Sequence, residues 1–202
     1  MLTESKLPLL QSGNIYKITS PFGLRSDPVT GAAGEEHKGV DIVLWKEYGM
    51  ADWITAPWAG TVTDVRDGVE GYDVQRSAGN RVTIAHGGGL VTKYYHMRRG
   101  TVKVQIGDRV EAGQVLGYIG STGKSTGAHL HFQAEMDGVP FDPLPYITGE
   151  LVMDSVPAEW SADAVDWAKK NGVLVGFGDG NLRLREPCTR EMMLVFLHRA
   201  LK

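Results

Sequence analysis

The sequence predicts a mainly β protein, an antiparallel β-sheet domain with a groove, followed by a small α-helical unit at the C-terminus. The chain of 202 residues contains 26 glycines. Short runs of Val, Ile and Thr stand between those glycines, a composition typical of strands joined by tight turns. The runs are joined by connections too short for crossover helices, which favours antiparallel pairing.

Four runs carry this prediction most clearly, because each has strand length, is rich in β-branched or aromatic residues and is bounded by turn residues. They are residues 60–65, 81–85, 89–95 and 115–119. None of them has the 3.6-residue period of a helix.

The character of the sequence changes after residues 142–146, which contain two prolines and indicate the end of a domain and a short linker. We therefore predict one domain over residues 1–148 and a helical module over 149–202. In the module, residues 161–171 have helical spacing with Ser161 as a capping residue, and a second helix is expected from Thr189.

Composition excludes several classes of function. The formal net charge is −3, which gives no electrostatic basis for binding nucleic acid or an acidic membrane surface. Cys188 is the single cysteine, so neither an intrachain disulfide nor a thiolate zinc cluster is available. No stretch is long and apolar enough to predict a membrane span.

Three of the six histidines and one aspartate form two patterned pairs. His37 and Asp41 are four residues apart, and His129 and His131 are two apart, so on extended chain each pair lies on one face. Two imidazoles and a carboxylate suit Zn²⁺, and three protein ligands leave a fourth position open for water or substrate. An open position is typical of a catalytic zinc.

The alternative is that these pairs are solvated strand faces, and Leu130 and Phe132 on the opposite face fit either interpretation. Two of the other histidines have simpler expectations. His86 is expected in an exposed hairpin turn, and His198 on the surface of the final helix.

Six blocks, taken together and in this order, resemble the lysostaphin-type (LytM-like) metallopeptidases. They are residues 19–25 (TSPFGLR), 37–42 (HKGVDI), 94–97 (YYHM), 107–114 (GDRVEAGQ), 120–123 (GSTG) and 127–132 (GAHLHF). The resemblance extends over roughly residues 15–145, and it implies a zinc peptidase that cuts the peptide part of bacterial peptidoglycan.

The resemblance also implies roles for individual residues. It makes His37, Asp41 and His131 the ligands of one Zn²⁺ per chain. It makes His96 and His129 catalytic histidines that do not bind the metal. Such histidines can take a proton from water, stabilise the tetrahedral oxyanion or protonate the leaving amine.

Other positions depart from the family pattern or carry weaker expectations. Met97 stands where family members commonly have Leu, a volume-conserving change. Residues 45–53, which look like an insertion, and 67–77, a long loop, depart from the family pattern and are expected to line the groove rim. Tyr95 and Asn80 are candidate substrate-binding residues.

The C-terminal stretch resembles a single S-layer homology repeat, which implies binding to a secondary cell-wall polymer. The alternative is a helical unit that packs on the peptidase domain or forms a homo-oligomer with its copy in another chain. A calcium site at Asp179 is not expected, because its glycine loop offers too few ligands.

The sequence thus predicts a zinc endopeptidase acting on a cross-bridge or stem peptide. No signal peptide is predicted from the first residues. A phage endolysin is the expected type, held in the host cytoplasm and then released to the wall, and a secreted or wall-associated host enzyme is the other. A non-enzymatic wall-binding or regulatory module of the same fold is the alternative function, and a structural zinc is a further possibility.

Overall fold

A computed structural model describes residues 3–4, 15–26, 31, 34–45, 52–148 and 162–171 of the chain. Within these residues it contains thirteen strands and two helices. In chain order they are β1 (Thr3–Glu4), β2 (Ile15–Ser20), β3 (Gly23–Arg25), β4 (Glu35–His37), β5 (Val40–Trp45), β6 (Trp53–Thr55), β7 (Gly60–Arg66), β8 (Asn80–Gly87), β9 (Leu90–Met97), β10 (Arg109–Val110), β11 (Val115–Tyr118), β12 (Leu130–Met136), β13 (Val139–Phe141), α1 (Leu144–Ile147) and α2 (Ala162–Lys170).

One large sheet dominates the fold, in the strand order β1-β2-β5-β12-β9-β8-β7-β10, with β13 also paired to β12. Two small sheets accompany it, β11 with β6 and β3 with β4. Every strand pairing is antiparallel. The predicted fold class, mainly β and antiparallel, is confirmed.

The large sheet buries one face and leaves the other partly open. In β9 the side chains alternate between buried and half-buried positions, and Tyr94 on the buried face is fully enclosed. On β12, Leu130 and Phe132 are also fully buried, as expected, while His131 between them lies on the open face. The strand period of two therefore separates the core from the polar face on which the site is built.

The proline-containing stretch 142–146, which the sequence indicates as the end of a domain and a short linker, forms a short helix. Helix α1 begins directly after Pro143, which suits a proline because a first-turn N–H needs no helical partner. Ile147 is fully buried and Tyr146 almost so, and both pack into the core of the sheet domain. The segment closes the core before the chain leaves the domain.

His86 is a buried residue of β8 and not the exposed turn residue that the sequence predicts. Its side chain is 6% exposed. The Nδ1 atom lies 2.8 Å from the carbonyl oxygen of Ala59, and Nε2 lies 2.7 Å from the Thr92 hydroxyl. Because a carbonyl can only accept, Nδ1–H is assigned as the donor and Nε2 as the acceptor.

The 67–77 loop supports the rim of the groove from behind. Its backbone pairs with the 120–124 segment: Asp73 N donates to the Gly123 carbonyl, and Gly123 N donates to the Gly71 carbonyl. None of its residues lines the cavity beside the metal site. The expectation that this loop lines the rim is corrected to a supporting role, and most of the 45–53 stretch lies outside the described residues.

Helix α2 confirms the first of the two predicted C-terminal helices. Lys169 at its end donates to the Gly88 carbonyl at 2.5 Å and pairs with the Asp137 carboxylate at 2.8 Å. The capping residue Ser161, the helix from Thr189, His198 and Cys188 lie outside the described residues, and the domain boundary at 148/149 stays a prediction. Neither described helix has the length and apolar character that crossing a bilayer requires.

Candidate metal centre

His37 and Asp41 reach the same point from two different strands. His37 is the last residue of β4, whose partner is Gly23 of β3, and Asp41 is the second residue of β5. The prediction that one extended segment carries both residues is thus incomplete, because the chain bends between the strands at residues 38–39. The two side chains still converge, as the spacing predicted.

Gly39 at this bend lets the chain approach β12 closely. A Cβ atom at this position would lie 2.4 Å from the Phe132 carbonyl oxygen and 2.9 Å from His131 Nε2. Both distances are shorter than any van der Waals contact with carbon allows. The glycine between His37 and Asp41 is therefore a requirement of packing against the third site residue.

His131 joins them through the register of the sheet. On β12 it pairs with Asp41 of β5 on one side and with Tyr95 of β9 on the other. Its neighbours Leu130 and Phe132 point into the core, so the imidazole must point to the open face.

The three side chains bring one donor atom each to a common point. His37 Nε2 and Asp41 Oδ1 are 3.1 Å apart, His37 Nε2 and His131 Nδ1 are 3.0 Å apart, and His131 Nδ1 and Asp41 Oδ1 are 2.9 Å apart. A tetrahedral zinc with bonds of about 2.0 Å places its ligand atoms about 3.3 Å from one another. The triangle formed by His37 Nε2, Asp41 Oδ1 and His131 Nδ1, called the metal triangle below, is nearly of that size. Among the described residues, no other group of three or more His, Cys, Asp or Glu side chains brings its ligand atoms within 4.8 Å of one another.

The second nitrogen of each imidazole fixes which nitrogen faces that point. His37 Nδ1 lies 2.7 Å from the Pro21 carbonyl oxygen, so it is assigned the proton and leaves Nε2 with a lone pair. His131 Nε2 lies 3.5 Å from the Gln133 side-chain oxygen, which leaves Nδ1 with a lone pair. Three lone pairs thus face one another, an arrangement that a cation stabilises, so the residues fit zinc.

Asp41 is an anion held by a second contact. Burial would raise the pKa of Asp41, but hydrogen bonds and positive charge from His131 and His37, when these are protonated, outweigh burial and hold that pKa far below its usual range. A bound cation would supply that positive charge when both imidazoles are neutral. Its other oxygen, Oδ2, accepts a hydrogen bond of 2.9 Å from Arg25, which also donates to the Ser20 hydroxyl at 2.6 Å. Oδ1 is consequently the oxygen left to a metal.

His96 and His129 stand beside this triangle without belonging to it. Their ring centroids are 4.7 Å apart, and His129 Nε2 is 3.8 Å from Asp41 Oδ1. His96 Nδ1 lies 2.8 Å from the carbonyl oxygen of Thr122, and His129 Nδ1 lies 2.8 Å from the carbonyl oxygen of Gly127. In both, Nε2 is left to accept a proton. Burial, and next the charge of His129, lower the pKa of His96 to about 4, so His96 is neutral at pH 7.

The two candidate substrate-binding residues, Tyr95 and Asn80, do not line the cavity beside the metal site. Tyr95 stacks on His131, with ring centroids 5.3 Å apart and planes inclined by 14°, and it does not line the cavity. Burial raises the pKa of its hydroxyl. Asn80 is fully buried and its side chain is hydrogen bonded to backbone groups of Gly68, Val69 and Met97. Asn80 therefore has no surface to offer a substrate, which corrects that expectation.

A cavity of about 490 Å³ opens over the metal triangle. Its lining comes from β2 and β3 on one side, the 124–129 segment on the other, and β5, β9 and β12 below: Thr19, Ser20, Arg25, Ser26, Asp41, Val43, His96, Lys124, Thr126, Gly127, Ala128, His129 and His131. Two of the metal ligands, Asp41 and His131, and both non-ligand histidines thus line one cavity.

Arg25 and Gln133 are site residues that the sequence reasoning did not single out. A signal for Gln133 exists, because a residue two places after His131 on a strand shares its face. Arg25 gives no such signal: it comes from another sheet, and only the folded chain brings it to Asp41.

Comparison with known proteins agrees with this geometry. Residues 35–143 match Peptidase family M23, and residues 153–191 match the S-layer homology domain. The first match contains all three residues of the metal triangle and both adjacent histidines.

Individual relatives cover the same part of the chain. The DD-carboxypeptidase/endopeptidase Mpg of Neisseria meningitidis is 34% identical over 129 residues, which are 63% of this chain and 26% of Mpg. The glycyl-glycine endopeptidase ALE-1 of Staphylococcus capitis is 33% identical over 124 residues, 58% of this chain and 30% of ALE-1. The solved catalytic domain of lysostaphin from Staphylococcus simulans is 28% identical with a TM-score of 0.50, over 65% of this chain and 92% of that domain. The chain thus spans less than a third of the length of either curated relative.

Proposed function

Because the chain belongs to Peptidase family M23, we propose that it is a zinc-dependent endopeptidase that hydrolyses a peptide bond of bacterial peptidoglycan. The observation that carries the proposal is the triangle of lone pairs from His37, Asp41 and His131, with His96 and His129 beside it. A non-enzymatic relative is disfavoured, because in such a module the ligands would be free to change, and here the set is complete.

Each residue has a part in the proposed reaction. His37, Asp41 and His131 would hold the zinc ion, which would lower the pKa of a bound water and polarise the scissile carbonyl. His96 and His129 present Nε2 lone pairs towards the cavity, so either can receive the water's proton and deliver it to the leaving amine. Once protonated, either imidazole stabilises the negative oxygen of the tetrahedral intermediate. Arg25 and Gln133 orient the ligands.

The substrate is the peptide part of the wall, either a stem peptide or a cross-bridge. Support comes from relatives on both sides of that choice, since Mpg is a DD-carboxypeptidase/endopeptidase and ALE-1 a glycyl-glycine endopeptidase. The cavity lies between β2 and the 124–129 segment, with the non-ligand histidines and the metal ligands Asp41 and His131 in its lining, so a peptide bound there would lie beside all of them.

The C-terminal module binds a secondary cell-wall polymer in this proposal, supported by the match of residues 153–191. A peptidase joined to a wall-binding unit is the arrangement of a lytic enzyme, and we propose the role of a phage endolysin that reaches the wall from the host cytoplasm. Binding of the full chain to walls before and after extraction of their secondary polymers tests the module, and loss of binding only after extraction is the expected result.

The deciding experiment incubates the zinc-loaded protein with purified walls of several bacteria, and identifies the released fragments by mass spectrometry. New amino termini that vanish with chelator and return with zinc are expected, and they name the bond. The His129→Ala protein should keep its zinc and lose activity by roughly 10²–10⁴-fold. Release of glycan fragments, or no cleavage of any wall by zinc-loaded protein, would contradict the proposal and favour a binding module.

A further inference from the structure

His96 has a backbone conformation that non-glycine residues seldom adopt. Its φ is 62°, and among the described residues only one other non-glycine residue, Asp137, has a positive φ. Such a conformation persists only where surrounding contacts determine it. We propose that Thr122, locked in place by Asn80, is the positioning residue that holds His96 in its catalytic geometry, an inference that rests on the proposed function.

Thr122 contacts both His96 and the residue after it. Its carbonyl oxygen accepts the hydrogen bond from the ring at Nδ1, at 2.8 Å. Its hydroxyl donates to the carbonyl oxygen of Met97, the next residue, also at 2.8 Å. One residue therefore holds the imidazole ring and the backbone one residue further along, which together limit the directions that Nε2 can take.

Asn80 locks Thr122 and Met97 to each other. Its backbone N–H donates to the Thr122 hydroxyl at 2.9 Å, and its side-chain amide donates to the Met97 carbonyl at 3.2 Å. The amide oxygen accepts from the N–H groups of Gly68 and Val69 at 2.8 and 2.7 Å. Since Asn80 is fully buried, water does not compete for these bonds.

Gly79 allows the two segments to touch. Its φ is +62°, and a Cβ atom there would lie 2.3 Å from the Thr122 carbonyl oxygen, the atom that binds His96. The adjacent Ala78 accepts the backbone N–H of His96 at 3.0 Å. Residues 78–80 and Thr122 therefore enclose the strained residue, and a larger side chain at Gly79 would push the carbonyl away from the ring.

The consequence for catalysis is orientation. Because Nδ1–H donates to the Thr122 carbonyl, the lone pair of Nε2 points to the cavity. Moving the proton to Nε2 would break that hydrogen bond, so the Nδ1–H tautomer is favoured. Without the Thr122 hydroxyl, the Met97 carbonyl keeps one donor in place of two, and the backbone at His96 is freed to relax. A shift of about 1 Å in a reacting group can cost about 100-fold in rate.

The test compares Thr122→Val, which keeps the shape and removes the hydroxyl, with Thr122→Ser, which keeps the hydroxyl. We expect Thr122→Val to lose roughly 10- to 100-fold in kcat with KM and zinc affinity unchanged, and Thr122→Ser to restore kcat to within about 3-fold of the parent. Thr92→Val is the matched control, because Thr92 is equally buried and hydrogen bonded on the same strand as His96. It should lose stability without losing kcat.

A spectroscopic measurement keeps the proposal testable apart from activity. In ¹H–¹⁵N spectra of the zinc-loaded parent, His96 should show a slowly exchanging Nδ1 proton and an unprotonated Nε2, and the Nδ1 proton should exchange faster in Thr122→Val. A parent in which Nε2 carries the proton overturns the inference, whether or not any wall is cleaved. So does a folded Thr122→Val protein with the parent's kcat. A parent that has the expected spectrum but cleaves no wall contradicts the proposed function alone.

Discussion

At the scale of single residues, the chemistry of the site depends on atoms that never face the metal. The second contact of each imidazole decides which of its two ring nitrogens keeps a lone pair towards the site. The Pro21 carbonyl accepts the Nδ1 proton of His37 and the Gly127 carbonyl accepts that of His129, so Nε2 is available in both rings. Whether that nitrogen is a metal ligand or a base then depends on where the fold places the ring.

Removing the Arg25 guanidinium should weaken zinc binding. In Arg25→Met, Asp41 Oδ2 loses its 2.9 Å donor, the carboxylate is free to turn, and zinc affinity should fall by about 10- to 100-fold. Competition with a chromophoric chelator measures the affinity. Arg81→Met is the control, since Arg81 makes a similar half-exposed pair with Asp64 on a distant strand. Equal zinc affinity in both variants would show that Arg25 does not orient Asp41.

At the scale of elements, short connections and strand register bring the site together. The bend at Gly39 delivers His37 and Asp41 from β4 and β5, and the pairing of Asp41 with His131 places the third ligand beside them. Alternation along β12 then puts His131 and Gln133 on the same face. At this scale the geometry of the site depends most on positions such as Gly39, where the backbones of two segments approach too closely for a side chain.

A methyl group at Gly39 should disrupt this junction. In Gly39→Ala, the new Cβ overlaps the Phe132 carbonyl and His131, so β5 and β12 must separate or the imidazole must move. We expect a loss of about 1–3 kcal/mol in the free energy of unfolding and weaker zinc binding. Denaturant unfolding and zinc competition measure the two. Gly68→Ala, where a Cβ meets nothing within 4 Å, should change neither, and a stable zinc-binding Gly39→Ala protein would refute the account.

The buried His86 should make the stability of the β8–β9 region depend on pH. Burial lowers the pKa of His86 from 6.5 to about 4, so between these values the unfolded chain binds a proton that the folded chain does not. The stabilisation that this pKa difference gives to the folded state is complete above pH 6.5, decreases as the pH falls, and is lost by about pH 4. The free energy of unfolding should change by about 3 kcal/mol over this range.

Urea unfolding of the zinc-loaded protein between pH 7 and pH 4.5 measures this dependence. His86→Gln should be less stable than the parent at pH 7 but lose less stability on acidification. Parallel curves for the two proteins would mean that His86 does not titrate as its burial requires.

At the scale of the whole molecule, the metal triangle ties together parts of the chain that lie far apart in sequence. His37 and Asp41 precede His131 by 94 and 90 positions, and the ligands belong to β4, β5 and β12. Metal bound only by the folded chain stabilises the fold by mass action.

Chelation should therefore lower the melting temperature. At zinc concentrations about 1,000-fold above Kd, bound zinc adds about 4 kcal/mol, which for a chain of this size corresponds to a shift of roughly 10 °C. Calorimetry with zinc and with chelator measures it, and His131→Ala should melt at the same temperature in both conditions. An equal melting temperature of the parent with and without zinc would contradict the proposed site.

Local sequence patterns predict the fold class and four of the thirteen described strands, which are β7, β8, β9 and β11. The metal ligands and the two adjacent histidines are assigned by the family resemblance. Short β-branched runs bounded by glycine favour strands joined by tight turns. The spacings within 37–41 and 129–131 can be recognised in the sequence because the residues of each pair are close along the chain. The family resemblance joined these two local patterns into one site.

Features that depend on contacts between distant segments are visible only in the folded chain. The tertiary structure placed His86 in the core, α1 at the end of the sheet domain, Arg25 on Asp41, and Thr122 on His96. Burial, tautomer and ligand orientation are set by neighbours from other strands, and local patterns in a sequence do not record which strands those are.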